Sequence, residues 1–170
     1  PAGLAVHIGS QIRDLEPFQR AYSALLALAI ELRNAGLPVP NLDLGGGVGI
    51  DYDTAGPTDF TEYGLLVQRL FAGQGFSLGF EPGRSIIANN GALITRVIYV
   101  KQGAEKRFII VDAAMNDLLR PTLYEAHHAI WTLDEPGIST TKADIVGPVC
   151  ETGDYLGLDR DMPDLNAGDG

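Results

Sequence analysis

Three short apolar segments, each running into polar or glycine-rich residues, recur at almost equal spacing. That spacing restricts the possible folds more than any other feature of the chain. Leu4-Ala5-Val6 ends at His7-Ile8-Gly9-Ser10, Leu42-Asp43-Leu44 at Gly45-Gly46-Gly47, and Ser77 to Phe80 at Glu81-Pro82-Gly83-Arg84. The exits His7, Gly45 and Glu81 lie 38 and 36 residues apart, about one strand-helix unit of a barrel built from roughly 250 residues in eight units. Helical stripes fill the gaps. Phe18, Tyr22, Leu25, Leu26, Ala29 and Leu32 share one face, with Asp14 as N-cap and Gly36 followed by Pro38 as the stop. A second helix is predicted from Phe60, its capping box formed by Asp59 and Glu62 and its apolar stripe by Phe60, Tyr63, Val67, Leu70 and Phe71.

From Ala92 the pattern changes to period two and β-branched runs. Strands are predicted over 92–101, 107–112, 129–133 and 142–146, with a turn at Gly103. Strand-helix alternation followed by consecutive strands predicts an α/β chain: residues 1–91 are the C-terminal part of a (β/α)8 TIM-like barrel, and 92–170 are part of an antiparallel β-domain. Three strands cannot close a barrel, so the others are expected upstream of Pro1. The chain opens without Met and closes on Asn166-Ala167-Gly168-Asp169-Gly170, and so reads as an internal segment of a longer protein.

Charge and cysteine content remove several function classes. A formal net charge of −10 repels phosphate backbones and anionic lipid surfaces, which argues against nucleic acid and membrane as partners. One cysteine cannot make an intramolecular disulfide, and there is neither a signal segment nor an apolar run of about 18 residues, which points to a cytoplasmic location.

Barrel enzymes build their sites at the carboxyl ends of the strands, so the three exits are expected on one rim. Each motif alone also fits a simple turn of the chain; three at equal spacing favour a site. Gly45-Gly46-Gly47 carries no side chains to keep an anion from the backbone N–H groups, and the Ser10 hydroxyl is a second donor for it. His7 offers a flat ring to an aromatic cofactor, although a histidine at a strand end is more often structural. Glu81-Pro82-Gly83-Arg84 fixes a carboxylate and a guanidinium around a rigid turn. The acid suits a protonated pyridine nitrogen and the arginine a phosphate or carboxylate, while the plainer reading is a surface salt bridge.

In the second half, Arg120 and Tyr124 are spaced to clasp a carboxylate, or else to pack on one another at the surface. Gly147-Pro148-Val149-Cys150-Glu151 sets a thiol beside a carboxylate, though a lone cysteine is usually a small core hydrophobe. His127-His128 and the acidic stretch from Asp159 to Asp164 read as structure and solvated surface. No spacing suggests a metal site.

His7-Ile8-Gly9-Ser10-Gln11, Leu42 to Gly49, Glu81-Pro82-Gly83-Arg84, Met115 to Pro121 and Gly147 to Glu151 resemble, in order, the motifs of the diaminopimelate branch of the alanine-racemase-like (fold-type III) pyridoxal-phosphate decarboxylases. Glu151 after Cys150 favours that branch over the ornithine and arginine branches, where an aspartate usually stands. The resemblance implies pyridoxal 5'-phosphate as cofactor, with His7 stacked on its ring, Ser10, Gly45, Gly46 and Gly47 at its phosphate, and Glu81 at its ring nitrogen within the Glu81-Pro82-Gly83-Arg84 turn. It implies that Arg84, Arg120 and Tyr124 meet the substrate carboxylate, Arg84 also serving the phosphate. Glu151 then meets the distal ammonium, and Cys150 returns a proton to the α-carbon. A homodimer with active sites shared across its interface is implied too. The Schiff-base lysine is expected upstream of Pro1 and a phosphate-side tyrosine downstream of Gly170. The implied activity is decarboxylation of meso-2,6-diaminopimelate to L-lysine, and this segment alone is expected to be inactive. Ornithine, arginine or carboxynorspermidine decarboxylation is the near alternative, and a non-catalytic binding module the distant one.

Overall fold

The structure is a computed structural model that describes residues 2–52, 60–133 and 140–170. It contains two compact units, Pro1–Gly91 and Ala92–Gly170, and is a mixed α/β structure with two sheets.

The first unit alternates β1 (Gly3–Ala5), α1 (Leu15–Asn34), β2 (Asn41–Asp43), α2 (Thr61–Phe71) and β3 (Ser77–Gly79), followed by a single turn α3 (Arg84–Ile87) and a 3-10 turn at Ala88–Asn90. The strands are parallel in the order β1-β2-β3, with Leu4, Leu42 and Leu78 in register. The equal spacing read from the sequence is therefore the register of a sheet. α1 carries the expected stripe: Phe18, Tyr22, Leu25 and Ala29 are buried, with Leu26 and Leu32 packed against the same core. It stops in a Schellman motif, where Gly36 takes φ +80° and the N–H groups of Gly36 and Leu37 donate to the carbonyls of Arg33 and Leu32. Asp14 occupies the N-cap position but makes no side-chain cap. Asp59 lies outside the described residues. Phe60 does not join the α2 stripe but is 41% exposed, and Leu66, absent from the predicted stripe, is buried with Val67 and Phe71. Phe60 precedes the first helical turn, so the rotation of the helix brings Leu66 inward instead.

The second unit holds β4 (Val97–Gln102), β5 (Arg107–Val111), α4 (Arg120–Tyr124), β6 (Thr140–Val146) and β7 (Tyr155–Pro163), with sheet order β4-β5-β6-β7. β4/β5 and β6/β7 are antiparallel, whereas β5/β6 is parallel. The sheet is thus mixed rather than antiparallel. A parallel pair needs a long crossover, and α4 lies on the stretch of chain that joins β5 to β6. One expected strand fails. Residues 129–133 form no strand, with Trp131 83% and Leu133 73% exposed. The acidic stretch is solvated as expected, but Asp159 and Asp161 belong to a strand, β7, whose alternation is hidden because they face water, Lys106 and Lys142 while Leu156 and Met162 point into the core.

Candidate functional site

On the first unit the register continues past the strands. Val6 N–H donates to the Asp43 carbonyl, Leu44 N–H to the Gly79 carbonyl and Glu81 N–H to the Gly45 carbonyl, at 2.8–3.0 Å. His7, Gly45 and Glu81 thus sit at one level of one rim. A Cβ on Gly45, Gly46 or Gly47 would collide with the carbonyl of Val6, Glu81 or Gly9 respectively, and Gly45 and Gly47 also adopt positive φ of 69° and 96°. The triplet is therefore required by the close approach of three backbones, in addition to any role toward an anion. Its N–H groups are partly engaged within the rim. Gly45 N–H donates to Asp43 Oδ1 at 2.8 Å and Gly46 N–H to His7 Nδ1 at 3.3 Å. The His7, Ser10 and Glu81 side chains are exposed.

Gln11 ties these exits together, a role the sequence did not signal. Its amide pairs with the backbone of Ile50, donating to the carbonyl at 2.6 Å and accepting from the N–H at 3.3 Å. The same Oε1 accepts from Arg84 Nη1 at 3.1 Å. Gly83 occupies the N-cap position of α3 after Pro82, so the Glu81-Pro82-Gly83 turn delivers Arg84 to Gln11. Behind the rim, Tyr22 donates to the Leu44 carbonyl at 3.1 Å and lies 2.8 Å from the Tyr63 hydroxyl. Burial raises both phenols above the ordinary tyrosine value.

On the second unit, Arg120 opens α4 with its guanidinium 3.2 Å from His128 Nε2, and Tyr124, at the other end of the helix, is 67% exposed. The two residues stand one helical turn apart, at the two ends of a five-residue helix. α4 is pinned to the turn after Cys150 by the Thr122 hydroxyl, which donates to the Gly153 carbonyl, and by Tyr155 Oη, which donates to the Pro121 carbonyl at 3.3 Å. Cys150 and Glu151 are both exposed on that turn, so the thiol is no core hydrophobe. Thr152 Oγ1 donates to Glu151 Oε1 at 2.9 Å, and this bond, joined by the Gly153 N–H, holds the carboxyl below its ordinary value and ionised. A groove of about 660 Å³ lined by Glu125, His127, Lys142, Asp159 and Arg160 among others contains none of the predicted side chains, so depth alone does not mark the site. Among the described residues no cluster of His, Cys, Asp or Glu is arranged to hold a metal, and no helix is long and apolar enough to cross a membrane.

The first unit thus gathers an imidazole, a hydroxyl, a carboxylate and a guanidinium on one rim. The second presents a cation and a phenol beside a thiol and a carboxylate. The family model for pyridoxal-dependent decarboxylases, C-terminal sheet domain, matches residues 20–170, and the chain belongs to that family. Within it, the relatives are more particular. The diaminopimelate decarboxylase of Neisseria meningitidis serogroup B is 49% identical over 158 residues, which is 93% of this chain and 38% of the relative. That of Zymomonas mobilis is 47% identical over 169 residues, 98% of this chain and 40% of the relative. The crystal structure of diaminopimelate decarboxylase from Helicobacter pylori complexed with L-lysine superposes with a TM-score of 0.90 at 41% identity, covering 99% of this chain and 42% of that one. The chain spans about two fifths of the length of the curated relatives it matches.

Proposed function

We propose that this chain is part of an enzyme that binds pyridoxal 5'-phosphate and decarboxylates meso-2,6-diaminopimelate to L-lysine and carbon dioxide. The observation that carries the reading is the common level of His7, Gly45 and Glu81 on the parallel rim. It is supported by relatives that carry this activity in their names. The parallel unit is read as a run of a (β/α)8 barrel, and the mixed sheet as part of the domain that supplies substrate and dimer contacts.

When bound, the cofactor's pyridinium supplies an electron sink for the pair left at the α-carbon as carbon dioxide departs. The residues of the chain set up that chemistry. His7 would face the ring, Ser10 and Arg84 would hold the phosphate with the side-chain-free Gly45-Gly46-Gly47 backbone, and Glu81 would keep a proton on the ring nitrogen. Arg84, Arg120 and Tyr124 bind carboxylate in a charge-assisted manner. Glu151, ionised, receives the distal ammonium. The Cα–carboxylate bond breaks, and Cys150 gives its thiol proton to the α-carbon, to be reprotonated from water. A homodimer that shares its sites, and a cytoplasmic location, belong to the same reading.

The test is carbon dioxide release by the full-length protein from diaminopimelate, ornithine, arginine and carboxynorspermidine. Release from diaminopimelate alone is expected. Preference for ornithine or arginine would move the protein to another branch, and release from none would favour a binding module.

A further inference from the structure

The turn that carries Cys150 and Glu151 is exposed, yet it is held from beneath by a carboxylate that no part of the mechanism above uses. Asp154 is 4% exposed. Its Oδ1 accepts from Met115 N–H at 2.7 Å and its Oδ2 from Val149 N–H at 2.6 Å. Its own backbone closes the turn, since Asp154 N–H donates to the Glu151 carbonyl and Gly147 N–H to the Asp154 carbonyl, both at 3.0 Å. One buried side chain thereby joins two strand exits. Met115 begins the polar turn that leads from β5 to Arg120, and Val149 is the residue before Cys150. Gly147 is compatible with this arrangement because it lacks a side chain: a Cβ there would meet both carboxylate oxygens of Asp154 and the Ala113 carbonyl.

Charge-assisted bonds to backbone N–H groups in a buried setting are stronger than neutral ones, and a buried carboxylate that loses a donor is left unsatisfied. Two such bonds on one residue fix the distance between the segments they join. We propose that Asp154 is the positioning residue that sets the Cys150-Glu151 turn against the Arg120 segment, acting through backbone N–H groups without touching substrate. The functional side of this inference rests on the roles given above to Cys150, Glu151 and Arg120.

The test uses the full-length protein with Asp154→Asn and Asp154→Ala, assayed well below the melting temperature of each variant. Asn keeps one acceptor and turns a donor toward the other N–H, so a graded response is expected, wild type above Asn above Ala. We expect kcat on diaminopimelate to fall about tenfold for Asn and further for Ala. Amide exchange at Met115 and Val149 should accelerate, and the iodoacetamide alkylation rate of the Cys150 peptide should change by threefold or more. Variants that are less heat-stable but retain wild-type kcat, exchange and alkylation would reduce Asp154 to a purely structural residue and overturn the proposal. Should the Asp154 variants fail to fold, Gly147→Ala presses on the same carboxylate with its charge intact, and the same readouts apply. Should the wild type not act on diaminopimelate, the functional reading fails separately, and exchange and alkylation alone decide whether Asp154 positions the turn.

Discussion

The two units hold their functional residues in opposite ways. On the parallel unit, position follows from repetition: the strands are in register, the exits fall at one level, and the rim is joined by backbone bonds such as Glu81 N–H to the Gly45 carbonyl. On the mixed-sheet unit nothing repeats. The turn bearing Cys150 and Glu151 is placed by side-chain bonds of Asp154, Thr122 and Tyr155, which tie it to the distant segment from Met115 to Thr122. A site held by register keeps its geometry when exposed side chains are exchanged but not when its glycines are. A site held by side-chain bonds should lose its geometry when one buried group is altered.

The largest effect is expected at the rim. Glu81→Gln in the full-length protein should lower the decarboxylation rate by about a thousandfold while cofactor affinity changes little, since the ring loses its proton but the phosphate keeps its donors. Spectroscopic titration with pyridoxal phosphate beside single-turnover rates checks this, and equal activity would remove Glu81 from the mechanism. Cys150→Ala should be milder, slowing turnover by about a hundredfold because water can replace the thiol as proton donor. Decarboxylation in deuterated water, read as label at the α-carbon, checks it; unchanged rate and stereochemistry would leave the thiol without a catalytic part.

Substitution of glycines within the parallel unit separates close backbone approach from open space. Gly46→Ala drives a methyl group into the Glu81 carbonyl and should destabilise by about 1–3 kcal/mol. Gly64→Ala, inside α2 with open space around it, should stabilise by about 0.5–1 kcal/mol. Denaturant melts of both decide; a neutral Gly46→Ala would contradict close approach as the reason for the triplet. The smallest effect is at high pH. Tyr22 and Tyr63 have raised folded values from burial, so the stability they contribute is fully present below the ordinary tyrosine value of about 10 and is lost as pH rises through the folded values. Ultraviolet titration should show these two phenols ionising above the ordinary tyrosine value; ionisation at that value would contradict the buried pair.

What could be read from the sequence follows the same division. The exits, their common rim and α1 were visible because strand-helix repetition leaves a period of 38 and 36 residues and because Phe18, Tyr22, Leu25 and Ala29 form a regular buried stripe. β7 was hidden, since its exposed face carries the acids that mimic a solvated loop. The expected strand over 129–133 was misread because an apolar run does not distinguish a strand from an exposed crossover, and Trp131 and Leu133 lie on the latter. Gln11 and Asp154 left no signal at all. Each acts by bonding to backbone far away in sequence, and one glutamine or aspartate looks like any other until the fold brings its partner near.

The proposed division of labour, with Ser10 at the cofactor phosphate and Arg120 at the substrate carboxylate, is tested most directly by a crossed measurement on the full-length protein. Ser10→Ala and Arg120→Lys are each assayed for pyridoxal phosphate Kd and for diaminopimelate KM at saturating cofactor. Ser10→Ala should weaken the cofactor by about tenfold, one hydrogen bond to a charged group, with KM unchanged. Arg120→Lys should raise KM by about tenfold or more through loss of the bidentate fork, with Kd unchanged. A Ser10→Ala protein with altered KM alone, or an Arg120→Lys protein with altered cofactor Kd alone, would contradict it.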